Sequence, residues 1–423
     1  MKKNIYALVD CDNFYVSCER LFRPELQNKP VVVLSNNDGC IVSRSNEVKK
    51  LGIQMGTPYF KAYDLIKEHN ISVFSSNYTL YADISNRVVK TLQNFSPNIE
   101  VYSIDEAFLT LNLSNSNYTE FGKKIRAKIL QDVGIPTTIG IAYSKTLCKI
   151  ATKIAKKNSQ YHGVLSVLEI QSNDEYLEMV DVDDIWGVGR KYSLWLKSIG
   201  IKNAKQLKYA NRNTIRGKMT VQGLRTVLEL NNIPCIPLET HIPNKKSITS
   251  SKSFGKKTDS LEDIQKALSI DVARAGEKLR SQNSVTGEIS IFILTDPFKS
   301  EYYSNMVKIK LPYKTSDSCE LIKHALRGLN SIFKKGYIYK KCGAILTDIS
   351  SRDDLQLNLF HSSQEYKTKK EDIMKTIDEI NKRWGTDTVR IGSMGLENRL
   401  KMKQTMISPL YSTNWDELLI AKL

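Results

Sequence analysis

The chain is short of histidine and has no paired cysteines. Its five histidines are dispersed, which argues against a His-based metal site. The seven cysteines, Cys11, Cys18, Cys40, Cys148, Cys235, Cys319 and Cys342, form no CxxC pair, and their number is odd. Free thiols in a reducing cytosol fit that scatter better than a zinc knuckle or a disulfide framework. No uninterrupted apolar run approaches the roughly 20 residues that a spanning helix needs. The opening MKKNIYALVDCDN meets polar residues too soon for a secretory signal. The expectation is a cytoplasmic protein with no membrane segment. Acid is also in deficit: 45 Asp and Glu face 62 Lys and Arg, a net charge of +17, with a pI near 9.3. That excess points to a polyanionic partner, and nucleic acid fits better than a membrane.

What is present suits an ordered globular chain. Its 423 residues are 41% hydrophobic and 25% charged, enough for two to four domains. A strand IYALV (5–9) runs into Asp10, and Phe14, Cys18, Leu21 and Phe22 mark one face of a helix that follows. KPVVVLS predicts a strand, followed by mixed short elements to residue 79. Leu80, Ile84, Val88, Leu92 and Phe95 mark a longer helix that Pro97 stops. EVYSI and AFLTL read as antiparallel strands, Phe121 to Val133 as a helix, and TTIGIAY (137–143) as a strand. With residues 30–79 set aside, the order is β-α-β-β-α-β, the ferredoxin-like arrangement. Residues 174–231 read as small helices broken at WGVGRK, and the proline-rich NNIPCIPLETHIPNKK as an extended linker. A second β-α-β-β-α-β pattern follows over 245–350. Residues 241–350 hold 19 Lys and Arg against 11 Asp and Glu. The tail from 351 is first polar, with a possible helix near 370–384.

The stretch YSIDEAF sets Asp105 beside Glu106 between two apolar strands. Burying unpaired charge is costly, so a cation belongs near them. On this stretch alone, a hairpin turn with both acids in water is the simpler reading. The topology, however, brings Asp10 to the neighbouring strand end. Three such carboxylates suit two Mg²⁺ ions roughly 4 Å apart, the arrangement used to activate a 3′-hydroxyl and neutralise a leaving pyrophosphate. Nucleases and nucleotide cyclases use similar sets. Lys145, Lys149, Lys153, Lys156 and Lys157 line a basic helix stripe with no acid between them across 144–158. Such a stripe is either a solvated face or a phosphate-facing one, and the missing acid favours phosphate. Gly187 and Gly189 in WGVGRK resemble a helix-hairpin-helix turn whose N–H groups approach a DNA phosphate. A plain helix-helix turn is the alternative. Gln356 to Phe360, QLNLF, sets apolar anchors in a polar tail, which suits either insertion into a partner's groove or a local staple.

Together, DCDNFYVSCE, SNNDGCIVSRSNEVKKLGI, SNYTLYADISNRV, YSIDEAF, GIAYSKTLCKIA, SKSFGKK and QLNLF resemble, in order and over almost the whole chain, the UmuC-type Y-family DNA polymerases. These are the catalytic subunits of bacterial DNA polymerase V. The resemblance implies an α+β right-hand fold: palm (1–29 and 80–173), fingers (30–79), helical thumb (174–231), linker (232–244), little finger (245–350) and a C-terminal partner-binding region (351–423). It implies error-prone synthesis across damaged template in the SOS response, on primer-template DNA with dNTPs and two Mg²⁺ ions. Asp10, Asp105 and Glu106 would be catalytic metal ligands, joined by the Cys11 carbonyl. Tyr15 would be a steric gate against ribonucleotides, and Phe14, whose place on the helix face also suits core packing, would line the nucleotide site. Gly187, Gly189, Arg190 and Lys191 would contact DNA. Gln356, Leu357, Leu359 and Phe360 would bind the sliding clamp, and processed UmuD-type subunit and RecA filament would be further partners. One departure concerns the fingers, where many Y-family chains place a Tyr and, three positions later, a basic residue on the triphosphate. Here those positions hold Asn46 and Lys49, leaving Lys49 and Lys156 for phosphate and Arg44 for the base. Two other readings compete: a catalytically dead DNA-binding scaffold, which need not retain the acidic trio, and a cyclase-like enzyme, which leaves the basic second domain unexplained.

Overall fold

The computed structural model describes residues 4–112, 117–170, 174–240, 243–353, 364–397 and 400–420. They fall into two compact units. One draws on Met1–Ser35, Gly39–Ile242 and Met406–Leu423, the other on Asn36–Asp38 and Pro243–Thr405.

The first unit begins with β1 (Ile5–Cys11) and α1 (Phe14–Phe22). A small subdomain follows: β2 (Val31–Leu34), β3 (Ile41–Arg44), α2 (Asn46–Lys50), α3 (Tyr59–Glu68) and β4 (Ser72–Ser75). Its sheet, ordered β3-β2-β4, closes on Val32, Leu34, Ile41, Val48 and Ile66. Then come α4 (Tyr78–Leu92), β5 (Ile99–Val101), β6 (Glu106–Leu111), α5 (Tyr118–Val133), β7 (Thr137–Ala142), α6 (Lys145–Lys157) and β8 (Val164–Ser166). They build a five-stranded sheet ordered β5-β6-β1-β7-β8. β1 runs antiparallel to both β6 and β7, so the expected ferredoxin-like core is present. The short strand β8, parallel to β7, is an addition that its three residues gave no periodicity to announce. Helices cover both faces, which is why β1 does not alternate in polarity. Ala7, Val9 and Cys11 pack with residues of α1, α4 and α5, while Tyr6 and Leu8 pack with α6. Gly134 ends α5 in the left-handed region at φ 77°, where glycine is unstrained.

After β8 come α7 (Arg190–Ser198), α8 (Ala204–Lys208) and α9 (Arg212–Leu230). Residues 231–240, which follow α9, form no helix or strand but are tied down. The buried Glu229 takes the Cys235 and Ile236 N–H groups at 2.8 and 3.1 Å, and Glu100 takes the Glu239 N–H at 2.7 Å.

The second unit is a four-stranded antiparallel sheet ordered β11-β10-β12-β9. Its elements are β9 (Ile248–Thr258), α10 (Leu261–Ser281), β10 (Ser284–Thr295), β11 (Ser304–Thr315), α11 (Ser318–Ile332) and β12 (Tyr339–Ser351). This is again the expected β-α-β-β-α-β order, with a core of Ile248, Leu268, Ile291, Leu329 and Tyr339. A last helix, α12 (Gln364–Trp384), is fixed by the Arg280 guanidinium, which donates to both Asp378 oxygens at 2.6 and 2.8 Å.

Candidate active site

β1 ends at Asp10 and Cys11, and the antiparallel register sets Asp10 directly opposite Glu106 at the start of β6. Facing residues of an antiparallel pair share one face of the sheet. Between β5 and β6 the chain turns tightly, the Tyr102 and Ser103 N–H groups both donating to the Glu106 carbonyl at 3.0 and 3.1 Å. The strand expected through EVYSI therefore stops at Val101, and Asp105 lies in the turn. The Cys11 N–H donates to the Asp105 carbonyl at 2.8 Å, locking the turn to β1. Neither acid simply points into water. The Ser103 hydroxyl donates to Asp105 at 2.5 Å, Lys149 donates to both Glu106 oxygens at 2.9 and 2.8 Å, and Lys156 donates to Asp10 at 2.5 Å. The neighbouring Asp12 accepts from the Thr138 hydroxyl at 2.8 Å and lies 3.6 Å from Lys156.

Burial pushes the Asp10 carboxyl up to about 7, against the pull of Lys156, and repulsion from Glu106 and Asp105 adds to the rise. Burial opposes the Lys156 ammonium, yet Asp10, Asp12 and Glu106 leave it raised. Among the described residues no three acidic, His or Cys side chains converge as a ready metal cluster, and each of the three carboxylates is held by a separate partner. The donor set nonetheless suits a hard divalent cation: it is oxygen only, with Asp10 and Glu106 facing each other across two strands and Asp105 in the adjoining turn.

The basic stripe of α6 corrects an expectation. Lys145 is not phosphate-facing: it is buried, 2% exposed, in an ion pair with Glu100. Lys149 is held by Glu106 and by the rings of Tyr102 and Trp186, 4.5 and 5.6 Å away. Lys153 and Lys157 both pair with Asp184. The partners come from other elements, which a local window of sequence cannot see. Glu100, Asp184, Tyr102 and Trp186 were accordingly missed, as was Asn13.

Asn13 sits in the left-handed region, φ 48°, at the start of α1, and connects α1 to α2. Lys49 donates to its side-chain oxygen at 2.6 Å and to Asn46 at 3.2 Å. Burial lowers the Lys49 pKa, and the charges of Lys156 and Arg44 lower it further. Lys49 of α2 and Lys156 of α6 thus converge near Asp10 and Asp12, with Arg44 of β3 close to Lys49. The Arg44 guanidinium also donates to the Ile53 carbonyl. Phe14, expected at the nucleotide, is buried in the core, and Tyr15 is half-buried with its ring on Tyr81. Gly187 has φ +87°, Gly189 precedes α7, and Arg190 and Lys191 are exposed on its first turn. Gln356, Leu357, Leu359 and Phe360 lie outside the described residues.

The chain matches the impB/mucB/samB family over residues 9–153, that family's C-terminal domain over 245–359, and a domain of unknown function (DUF4113) over 371–421. It is 40% identical to the protein UmuC of Salmonella typhimurium, over 99% of this chain and 100% of that one. The chain belongs to the UmuC-type Y-family DNA polymerases. This UmuC-type chain is also 36% identical to the protein MucB of Escherichia coli, over 99% and 100% of the two chains. Among solved structures it is similar in fold to a Y-family DNA polymerase chimera of Dbh and Dpo4. The TM-score there is 0.64 at 24% identity, covering 82% of this chain and 100% of that one. An insertion ternary complex of Dbh DNA polymerase gives 0.55 at 23% identity, with the same coverage. The enzyme is a DNA-directed DNA polymerase. No helix among its described residues is long and apolar enough to cross a membrane.

Proposed function

We propose that this UmuC-type polymerase extends primers across damaged template bases with the site at the end of β1 and β6. The observation that carries this reading is the facing of Asp10 and Glu106 across one register, with Asp105 in the adjoining turn and Lys49 and Lys156 converging beside them. Asp10, Asp105, Glu106 and the Cys11 carbonyl would hold two Mg²⁺ ions. When bound, these supply charge neutralisation at the triphosphate and lower the pKa of the primer 3′-hydroxyl. The chain's own residues do the rest. Lys156 and Lys49 bind the triphosphate once their present partners release them, and Arg44 lies over the base. Phe14 anchors α1 so that Tyr15 meets the sugar as a steric gate. The N–H groups around Gly187 and Gly189, with Arg190 and Lys191, hold a DNA phosphate.

At larger scale we assign the sheet of the first unit to the palm (1–29 and 80–173), the β2-β3-β4 subdomain to the fingers (30–79) and α7–α9 to the thumb (174–231). A linker (232–244) and a little finger (245–350) follow. The region 351–423 contacts partners: QLNLF the sliding clamp, the remainder a processed UmuD-type subunit and a RecA filament, in the cytoplasm. Primer extension on damaged and undamaged templates, with and without UmuD-like and RecA-like proteins, tests the reading. Extension past a lesion is expected, and extension that halts at every lesion under all conditions contradicts it.

A further inference from the structure

Tyr15 has a back wall, and the wall ends in the C-terminal segment. The Tyr15 ring stacks on Tyr81, with centroids 4.5 Å apart and planes within 16°, and Tyr78 meets it edge-on at 6.0 Å. Tyr81, on α4, is fully buried. Its hydroxyl donates to Glu19 Oε1 at 2.6 Å. The same oxygen accepts the hydroxyl of Ser408 at 3.0 Å, from 389 positions further along the chain. Ser408 is itself fixed, because the Asn77 amide donates to its carbonyl and its hydroxyl, each at 3.0 Å. Tyr411 then stacks on Phe22 of α1 with centroids 4.6 Å apart.

Packing alone gives no reason for Glu19. It is fully buried on α1, its hydrogen-bond donors are neutral hydroxyls, and among the described residues its Oε2 has no partner. Burial is the main cause that pushes its carboxyl up to about 7. An apolar side chain of similar size would avoid that desolvation. What the carboxyl adds is direction: it fixes the Tyr81 hydroxyl and so the plane of the ring behind Tyr15. A steric gate that excludes one hydroxyl group fails if it can recoil by a fraction of an ångström, so a rigid wall matters to it.

We propose that Glu19 and Tyr81, braced by Ser408 of the C-terminal segment, are positioning residues that hold Tyr15 against the nucleotide sugar and so set the choice between deoxyribo- and ribonucleotides. This rests on the reading of Tyr15 as the gate. The test uses the full-length enzyme and single-nucleotide incorporation with matched dNTP and rNTP on one template, read as the ratio of the two kcat/KM values. Tyr81→Phe keeps the stacked ring and removes one hydrogen bond to Glu19, whereas Ser408→Ala touches only the tail and removes the hydroxyl's bonds to Glu19 and Asn77. Each loses one hydrogen bond to Glu19 and is expected to lower the dNTP-to-rNTP ratio roughly 2- to 10-fold, the range one such bond spans, chiefly by raising rNTP incorporation. Ser408→Thr, which keeps the hydroxyl, should retain the parent ratio. In a Tyr15→Ala background neither change should alter the ratio further. Parent ratios in both single variants, while Tyr15→Ala alone shifts the ratio, overturn this inference and leave the gate standing. Equal losses for both nucleotides mean mere packing and also overturn it. An unchanged ratio in Tyr15→Ala removes the gate reading itself, and this inference with it.

Discussion

Asp10 and Glu19 lie on the same stretch of chain, and burial pushes both carboxyls up to about 7. Their surroundings differ. Asp10 has an ammonium partner and two acidic neighbours, a charge balance that a divalent ion would complete. Glu19 has hydroxyl donors, and its consequence is for stability. With the carboxyl raised from 4.5 to about 7, the folded state holds a proton that the unfolded chain gives up. Below pH 4.5 both states are protonated, and the contribution is fully present. As pH rises towards 7 it is lost, by roughly 3 kcal/mol in all. Glu19→Gln should remove this slope. In urea unfolding at pH 5 and pH 8 the variant should therefore gain stability relative to the parent as pH rises. Parallel slopes would mean that Glu19 ionises freely in the fold.

At the scale of elements, α6 is the piece on which the site depends. It carries Lys149 and Lys156 to Glu106 and Asp10, and it lies against β7 through Gly140. A Cβ at Gly140 would come within 2.3 Å of the Cys148 carbonyl and 2.5 Å of the Thr152 N, both backbone atoms of the helix. Gly140→Ala should thus cost about 1–3 kcal/mol, the usual penalty of overpacking. Gly217→Ala in α9, with nothing within 4 Å of the added Cβ, is the control and should be neutral or slightly stabilising. Equal unfolding midpoints for the two variants would contradict this packing. The elements were largely legible in the sequence, because apolar spacing at 3.6 and 2 residues marks helices and strands wherever one face is buried. The charge partners were not. The run 144–158 contains no acid, so nothing local distinguished Lys145, buried against Glu100, from Lys156, facing Asp10. Asp105 and Glu106 stood out because two acids in an apolar stretch need compensation, and that compensation is Ser103 and Lys149.

For the whole molecule the dominant fact is its charge of +17. Lys and Arg contacts to phosphates release counterions, so affinity for primer-template DNA should fall steeply between low and moderate salt. A flat dependence would contradict the polyanion reading. The C-terminal residues show where sequence reasoning stops. Nothing in SPLY (408–411) announces that Ser408 meets Glu19 or that Tyr411 meets Phe22, since only the folded chain brings such distant positions together. The family resemblance implies partner contacts there and gives no hint of this internal packing. The central claim, that the acids at the ends of β1 and β6 perform the chemistry while the basic surface binds DNA, meets its most direct test in Asp105→Asn. Primer extension and primer-template affinity should be measured on the same preparation. The variant should lose nucleotide incorporation while binding DNA within a few fold of the parent, because it removes carboxylate charge and leaves the lysines and arginines in place. Near-normal extension by Asp105→Asn would contradict the account.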